Sequence, residues 1–379
     1  MKKIVIIGAN EFQNPLILKA KEMGFETHVF AWRDGAVGEK TADFFYPISI
    51  TEREEILAEC KRIRPDAVCT IASDLANLTV QYLAKELGLP HNSDACILTS
   101  TNKYQMRKAL LAGGADTPFF ATVSSFEEAS ALALPYPVIV KPTDRSGSRG
   151  ITKVLSPDGL KAAIDAAVSH SFEKRAMVEE YIDGDEFSAE CVSFNGTHTL
   201  LTVTQKFTTG APGFIEVGHI EPAPLSAEML EKVKKEVFLG LSALGIRMGA
   251  AHAEFRIGKN GRVRIIEIGS RMGGDCIGSH LVPLSTGIDF VRAVIDTALG
   301  NTPDLTPKAP ARASAIRFVF DKEDMDVLAR IKETHPEALA LVSDIEPLGA
   351  HEITDSGSRL GFYILTADTY EEILSLSEL

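Results

Sequence analysis

Positive charge is scarce in this 379-residue sequence: 39 lysines and arginines stand against 52 aspartates and glutamates, for a formal net charge of −13. That deficit excludes recognition of a polyanion through a broad basic surface, so nucleic acid is not an expected partner, although a local cluster of lysines can still hold a small phosphate. Paired cysteine spacing is also missing. Cys60, Cys69, Cys96, Cys191 and Cys276 form no CxxC motif and no histidine spacing that suits zinc, and an odd count fits a disulfide framework poorly. A reducing compartment follows, and the chain is expected to be cytoplasmic. No apolar run approaches the roughly 18 residues of a membrane span, and the short apolar segment after Lys2 and Lys3 has no cleavage region behind it. A soluble protein with no membrane partner is expected. Internal repeats and low-complexity segments are absent as well.

What is present is an ordinary globular composition, 45% hydrophobic and 24% charged, in a chain too long for one core, so two or three domains are anticipated. Residues 3–7 read as a strand running into Gly8-Ala9-Asn10, followed by a helical pattern through Leu16, Ile17, Ala20 and Met23 and a strand over 27–31. This βαβ opening continues to a strand over 67–71 and to a helix carrying Leu75, Leu78, Tyr82, Leu83 and Leu87 that stops at Gly88. The first turn, GANEFQ, lacks the GxGxxG glycines of a dinucleotide fold. A Lys/Arg-rich helix over 102–112 is broken by Gly113-Gly114, and strands dominate to about 194. An amphipathic helix over 226–244 opens a third unit. Pro303, Pro307 and Pro310 mark a linker, after which strand, helix, strand, strand and helix follow. The expected units are 1–100, 101–194, 195–309 and 310–379, mixing α/β and α+β.

The segment AHAEFRIGKNGRVRIIEIGSR holds two strand-like runs around Asn260-Gly261, a dipeptide suited to a type I′ turn. Centred there, the register sets 257 opposite 264 and Glu254 opposite Glu267, and gathers Ala253, Phe255, Ile257, Ile266 and Ile268 on the other face. Two carboxylates about 5 Å apart repel by about 3 kcal/mol at an effective dielectric of about 20, so a counter-charge is required. A hard divalent cation is one solution. A solvated hairpin with water screening both charges is the alternative. Arg271, in the Gly-rich stretch GSRMGGD, favours the cation, because a fixed guanidinium beside a metal suits phosphoryl chemistry.

YPVIVK is a strand that presents Lys141 at its end, held extended by Pro142. The following TDRSGSRG has glycines that free the backbone and Ser146, Ser148 and Arg149 as donors, which suits either a phosphate-covering loop or a plain hairpin tip. No GK[ST] follows, so it is not a Walker A loop. In MVEEYIDGDEFSAE, acidic groups are placed to accept from an amino group or ribose hydroxyls, or form a solvated turn.

In this order NKYQMRKAL, VIVKP with SGSRG, VEEYIDGDE, HAEF and IEIGSR resemble the ATP-grasp superfamily of carboxylate-amine ligases, over roughly residues 1–300. The resemblance implies an N-terminal Rossmann-like domain, two α+β subdomains clamping ATP, and a small C-terminal α+β module. It implies that Lys103 and Lys141 contact the nucleotide phosphates, that the loop with Ser146, Gly147, Ser148 and Gly150 covers them, and that Glu179 takes the adenine amino group. Glu180, Tyr181 and Ile182 would read the purine edge through their backbone, and Glu186 would hold the ribose. Glu254 and Glu267 would bind Mg²⁺, for which Mn²⁺ can substitute, and Arg271 would stabilise an acyl phosphate formed from a small-molecule carboxylate before an amine attacks it. Many members carry asparagine where this chain has Gly269, so one customary metal-ligand position of the family is unfilled here. EIGSRMGGD, GHIEPAPL and the ending SGSRLGFYILTADTYEE look most like the L-amino-acid ligase branch. Glycinamide ribonucleotide synthetase-like and biotin-carboxylase-like enzymes are the alternatives within the superfamily, and dimers are common in it. Glu216, His219, Gly273 and Gly274 are the candidate substrate-facing residues; a surface-loop role without function is the alternative for His219.

Overall fold

A computed structural model describes residues 2–145, 147, 149–211 and 213–379. Ser146 and Ser148, expected in the phosphate loop, lie outside the described residues. The first apolar run forms β1 (Lys3–Ile7), joined by β2 (Glu26–Phe30), β3 (Phe44–Tyr46) and β4 (Ala67–Cys69) in a parallel sheet of order β3-β2-β1-β4. Ile4 to Ile7 are fully buried, as a near-continuous apolar run in a parallel sheet should be. The helix Asp74–Leu87 starts where the Ser73 hydroxyl accepts from the Ala76 amide and ends at left-handed Gly88. Only part of its apolar stripe faces the core: Leu83 is buried, and Tyr82 and Leu87 pack against the same cluster. Ala76, Thr79, Val80 and Leu83 pack inward, whereas Leu75 and Leu78 face a cavity. Helical spacing identifies an apolar face without saying whether protein or ligand covers it.

A second sheet consists of β5 (Phe120–Val123), β6 (Val138–Pro142), β7 (Thr152–Val154) and β8 (Ala176–Glu180), antiparallel and ordered β5-β8-β6-β7. Val138, Val140 and Val178 pack against the helix Leu160–His170. The chain then passes Gly184 into an eight-stranded antiparallel sheet of β9 (Asp185–Phe194), β10 (Thr197–Thr208), β11 (Glu216–Glu221), β12 (Gly249–Ile257), β13 (Val263–Gly269), β14 (Ala313–Val319), β15 (Leu339–Val342) and β16 (Gly361–Ala367). Its order is β13-β12-β9-β10-β11-β14-β16-β15. The helix Ala227–Ala243 covers one face, with Val233, Val237 and Leu241 against Phe255 and Ile265.

Two features differ from the expected division. β9 pairs with β10 as a long hairpin, so the change of sheet falls at Gly184 rather than at 194. The C-terminal strands extend the large sheet through β11–β14 pairing instead of forming a sheet of their own. The proline-rich stretch 301–312 contains neither helix nor strand, as its composition predicts.

Candidate active site

Glu254 and Glu267 lie opposite each other on β12 and β13, but two departures from the expected hairpin cancel to put them there. Next to the turn Arg256 pairs with Arg264 and Ile257 with Val263, one residue away from the expected register. The Gly261 amide donates to the Gly258 carbonyl and the Gly258 amide to Arg262, and Gly261 is left-handed at φ 71° while Asn260 is not. This is a three-residue loop closed by glycine rather than a two-residue type I′ turn. A bulge at Ile266 then adds one residue to β13 and restores the Glu254–Glu267 pairing. As a result Ile265 takes the core position expected for Ile266, and Ile266 lines a cleft.

The bulge is held from outside the hairpin. Helix Lys103–Ala112, capped by Asn102, buries Lys103, Met106, Arg107 and Leu110 along one face, so two cations point inward. Arg107 donates to the carbonyls of Ile265 at 2.7 Å and Ile266 at 3.0 Å, and to Glu179 Oε2 at 2.9 Å. The other Glu179 oxygen pairs with Lys141. Burial works against the Glu179 charge, yet Arg107 and Lys141 hold its pKa at about 2.

The glutamate pair is matched by cations. Lys103 Nζ donates to Glu267 Oε2 at 2.5 Å, and Lys206 of β10 donates to Glu254 and lies 3.7 Å from both Glu186 and Glu216. His252, two residues before Glu254 and on the same face, sits 3.3 Å from Glu254 Oε1 and 2.6 Å from Glu190. Burial opposes a charge on His252, but the two glutamates raise its pKa to about 9. The Glu254 carboxyl is pushed well below its ordinary range, because Lys206 and His252 outweigh its desolvation. Arg271 makes a two-pronged pair with Asp74, at 2.8 and 3.0 Å, which ties the third sheet to the N-terminal unit. A Cβ at Gly269 would come within 3.2 Å of Asp74 Oδ1 and 3.4 Å of the Arg271 guanidinium, so a larger residue there would press on this pair.

Two cavities meet at these groups. The smaller, about 160 Å³, is lined by Ile139, Lys141, Ile151, Glu179 to Ile182, Glu186 and Ile266. The larger, about 750 Å³, reaches the N-terminal unit and includes Glu216, His219 and Gly274. Both are lined by Gly147, Glu254, Glu267 and Arg271. Glu186 is held by Arg256, which also donates to the Tyr181 hydroxyl and the Ile182 carbonyl. Glu180 accepts from Arg264 at 3.1 Å. His219 is buried, faces Asp275 at 3.4 Å, and leaves its Nδ1 without a partner among the described residues; burial lowers its pKa. Glu216 accepts from Ser356, while Arg359 pairs with Asp275 at 2.6 Å, so residues after 350 reach the site. Gly273 is a close-packing position, where a Cβ would lie 2.8 Å from His252 and 3.0 Å from Glu190. Gly150, at φ 69°, packs beside His170 and Pro142.

Sequence reading missed Asp74, Arg107, Lys206, His252, Arg256, Asp275 and Arg359. For His252 a signal existed, since i and i+2 share a strand face with Glu254. Arg107 lay on the predicted helix, one turn after Lys103. The others act across long separations that motif spacing does not encode. Among the described residues no group of three or more His, Cys, Asp or Glu side chains is placed to hold a metal by itself. Two facing carboxylates are part of an oxygen donor set, which suits a hard cation that takes its other ligands from phosphates and water.

Residues 134–279 match the ATP-grasp domain model. The whole chain superposes on an L-amino acid ligase from Bacillus licheniformis with a TM-score of 0.85 and 25% identity, covering 100% of this chain and 96% of that one. A D-alanine–D-alanine ligase of Cupriavidus taiwanensis is 26% identical over 60% of this chain and 73% of its own length. A formate-dependent phosphoribosylglycinamide formyltransferase of Mycolicibacterium vanbaalenii is 28% identical over 58% of this chain and 54% of its own. The chain thus spans about half the length of several curated relatives it matches.

Proposed function

We propose, from the match of residues 134–279 to the ATP-grasp domain model, that the chain is an ATP-dependent carboxylate-amine ligase that acts on small molecules, with an amino acid as the carboxylate. A carboxylate oxygen attacks the γ-phosphorus of ATP and ADP leaves. An amine then attacks the acyl carbon, forms the amide, gives up a proton and releases phosphate. The observation that carries this reading is the meeting of two cavities at Glu254, Glu267 and Arg271, one lined for a nucleotide and one with room for further substrates.

Each residue has a role in this scheme. Ile139, Ile151 and Ile266 offer aliphatic faces to the purine, and the backbone of Glu180 to Ile182 offers its edge contacts. Glu179 keeps acceptor capacity for the adenine amino group, since each of its oxygens takes one donor and retains a second lone pair. Glu186, steadied by Arg256, accepts from the ribose. Lys103 and Lys141 donate to phosphates, with Lys206 beside them. Glu254 and Glu267 would hold Mg²⁺, which neutralises charge on the phosphates when bound. Arg271, fixed by Asp74, stabilises the charge that builds on the transferring group. Glu216 and His219 face the substrate side.

The test is ADP release from Mg-ATP across pairs of amino acids. Release that requires both partners is the expected result; release that no amino acid stimulates would reject the reading.

A further inference from the structure

The larger cavity has two unlike sides. On the side of the reaction centre Lys103, Arg145, Arg149, Lys206 and Arg271 supply cations. The facing wall comes from the N-terminal unit and presents Ala9, Ala31, Trp32, Ile50, Leu75 and Leu78. Its charged members are Asp34 and Asp74, and among its described lining residues there is no lysine or arginine. Asp74 is already matched by Arg271.

Trp32 is the chain's only tryptophan, lies two residues past the end of β2, and is 49% exposed; Leu75 is 39% exposed. Large apolar side chains left open in a concave site that continues to a reaction centre are covered when a ligand with an apolar body enters. A phosphorylated ligand does not suit this wall. A phosphate monoester carries a charge of about −1.5 to −2 and calls for cations, whereas the polar members of this wall, Asn10, Gln13 and Ser73, are uncharged and Asp34 is acidic.

We propose that this wall binds the amine substrate, that the amine is unphosphorylated, and that its apolar side chain lies against Trp32, Leu75 and Leu78. The fate of the amine rests on the ligase reading; its binding does not. Because Trp32 is the sole tryptophan, its emission reports on the wall directly. The full chain, saturated with Mg-ADP, is titrated with L-leucine, L-phenylalanine, glycine and O-phospho-L-serine. Leucine and phenylalanine are expected to change the emission saturably at concentrations about tenfold below those needed for the other two. Equal responses to all four, no response, or a preference for O-phosphoserine would overturn the proposal. In turnover, Trp32→Ala is expected to raise KM for the apolar amine about tenfold with kcat little changed, and Trp32→Phe, which keeps the apolar wall, to stay near the parent. An unchanged KM in Trp32→Ala would also overturn it. Selective binding without any ADP release removes the ligase reading and leaves the wall standing. ADP release that needs a phosphorylated amine removes the wall and leaves the ligase reading.

Discussion

Glu254 and Glu267 face each other across a strand pair, and their charge is matched one side chain at a time: Lys206 and His252 on the first, Lys103 on the second. Glu267→Gln keeps the shape but deprives both Lys103 and a bound cation of their anion. ADP release should fall by about 100-fold or more, while the thermal midpoint stays close to the parent. A variant with near-normal turnover would contradict the metal assignment. Deeper in the sheet Glu221 accepts from Thr204 and Ser285, and burial, aided by Glu190, raises its pKa from 4.5 to about 8. The native carboxyl is therefore neutral where the unfolded one is charged, and stability is lost as pH rises from about 4.5 to about 8. Glu221→Gln should remove that loss. Denaturant titrations should find it more stable than the parent at pH 8 by roughly a few kcal/mol, with the difference shrinking towards pH 5. At this scale the sequence showed the acids and Arg271, because HAEF and IEIGSR are local. It did not show Lys206 or Asp74, which lie 48 and 197 residues from their partners.

The β12–β13 hairpin shows what element-level reading can and cannot reach. The Asn260-Gly261 signal located the turn, but loop length and the bulge at Ile266 each moved the register by one residue. Their cancellation, rather than the predicted turn, brings the glutamates together. Bulges have no sequence signature of their own; this one is held by Arg107, whose guanidinium bonds both bulge carbonyls. Gly261→Ala forces a side chain into the left-handed region and should cost about 1 kcal/mol in denaturant unfolding, with turnover intact because the turn lies outside both cavities. Gly184→Ala has a different expected outcome. Its Cβ would fall 2.2 Å from the Ile257 carbonyl oxygen at the seam of two sheets, and the shift would reach Glu186 two residues on. KM for ATP should rise about tenfold, and an unchanged KM would show that the seam does not position the ribose contact.

For the whole molecule, the sequence made the succession of units legible: a parallel βαβ start, a small antiparallel sheet and a larger one with the hairpin. Their seams were less legible. β9 belongs to the large sheet through its hairpin with β10, and β14 joins that sheet along the edge of β11, a pairing between strands about 100 residues apart that local patterns do not record. The N-terminal unit is part of the site, since Asp74 fixes Arg271, Asn77 donates to Ser270 at 3.1 Å, and Trp32 lines the larger cavity. The larger cavity is thus lined by more than one unit.

The central claim is that a carboxylate oxygen takes the γ-phosphoryl group where the two cavities meet. Turnover with an amino acid labelled with ¹⁸O in its carboxylate, followed by mass analysis of the released phosphate, tests it directly. One labelled oxygen should appear in each phosphate, transferred from the acid through the acyl phosphate. Phosphate carrying only oxygen from water or ATP would contradict the account.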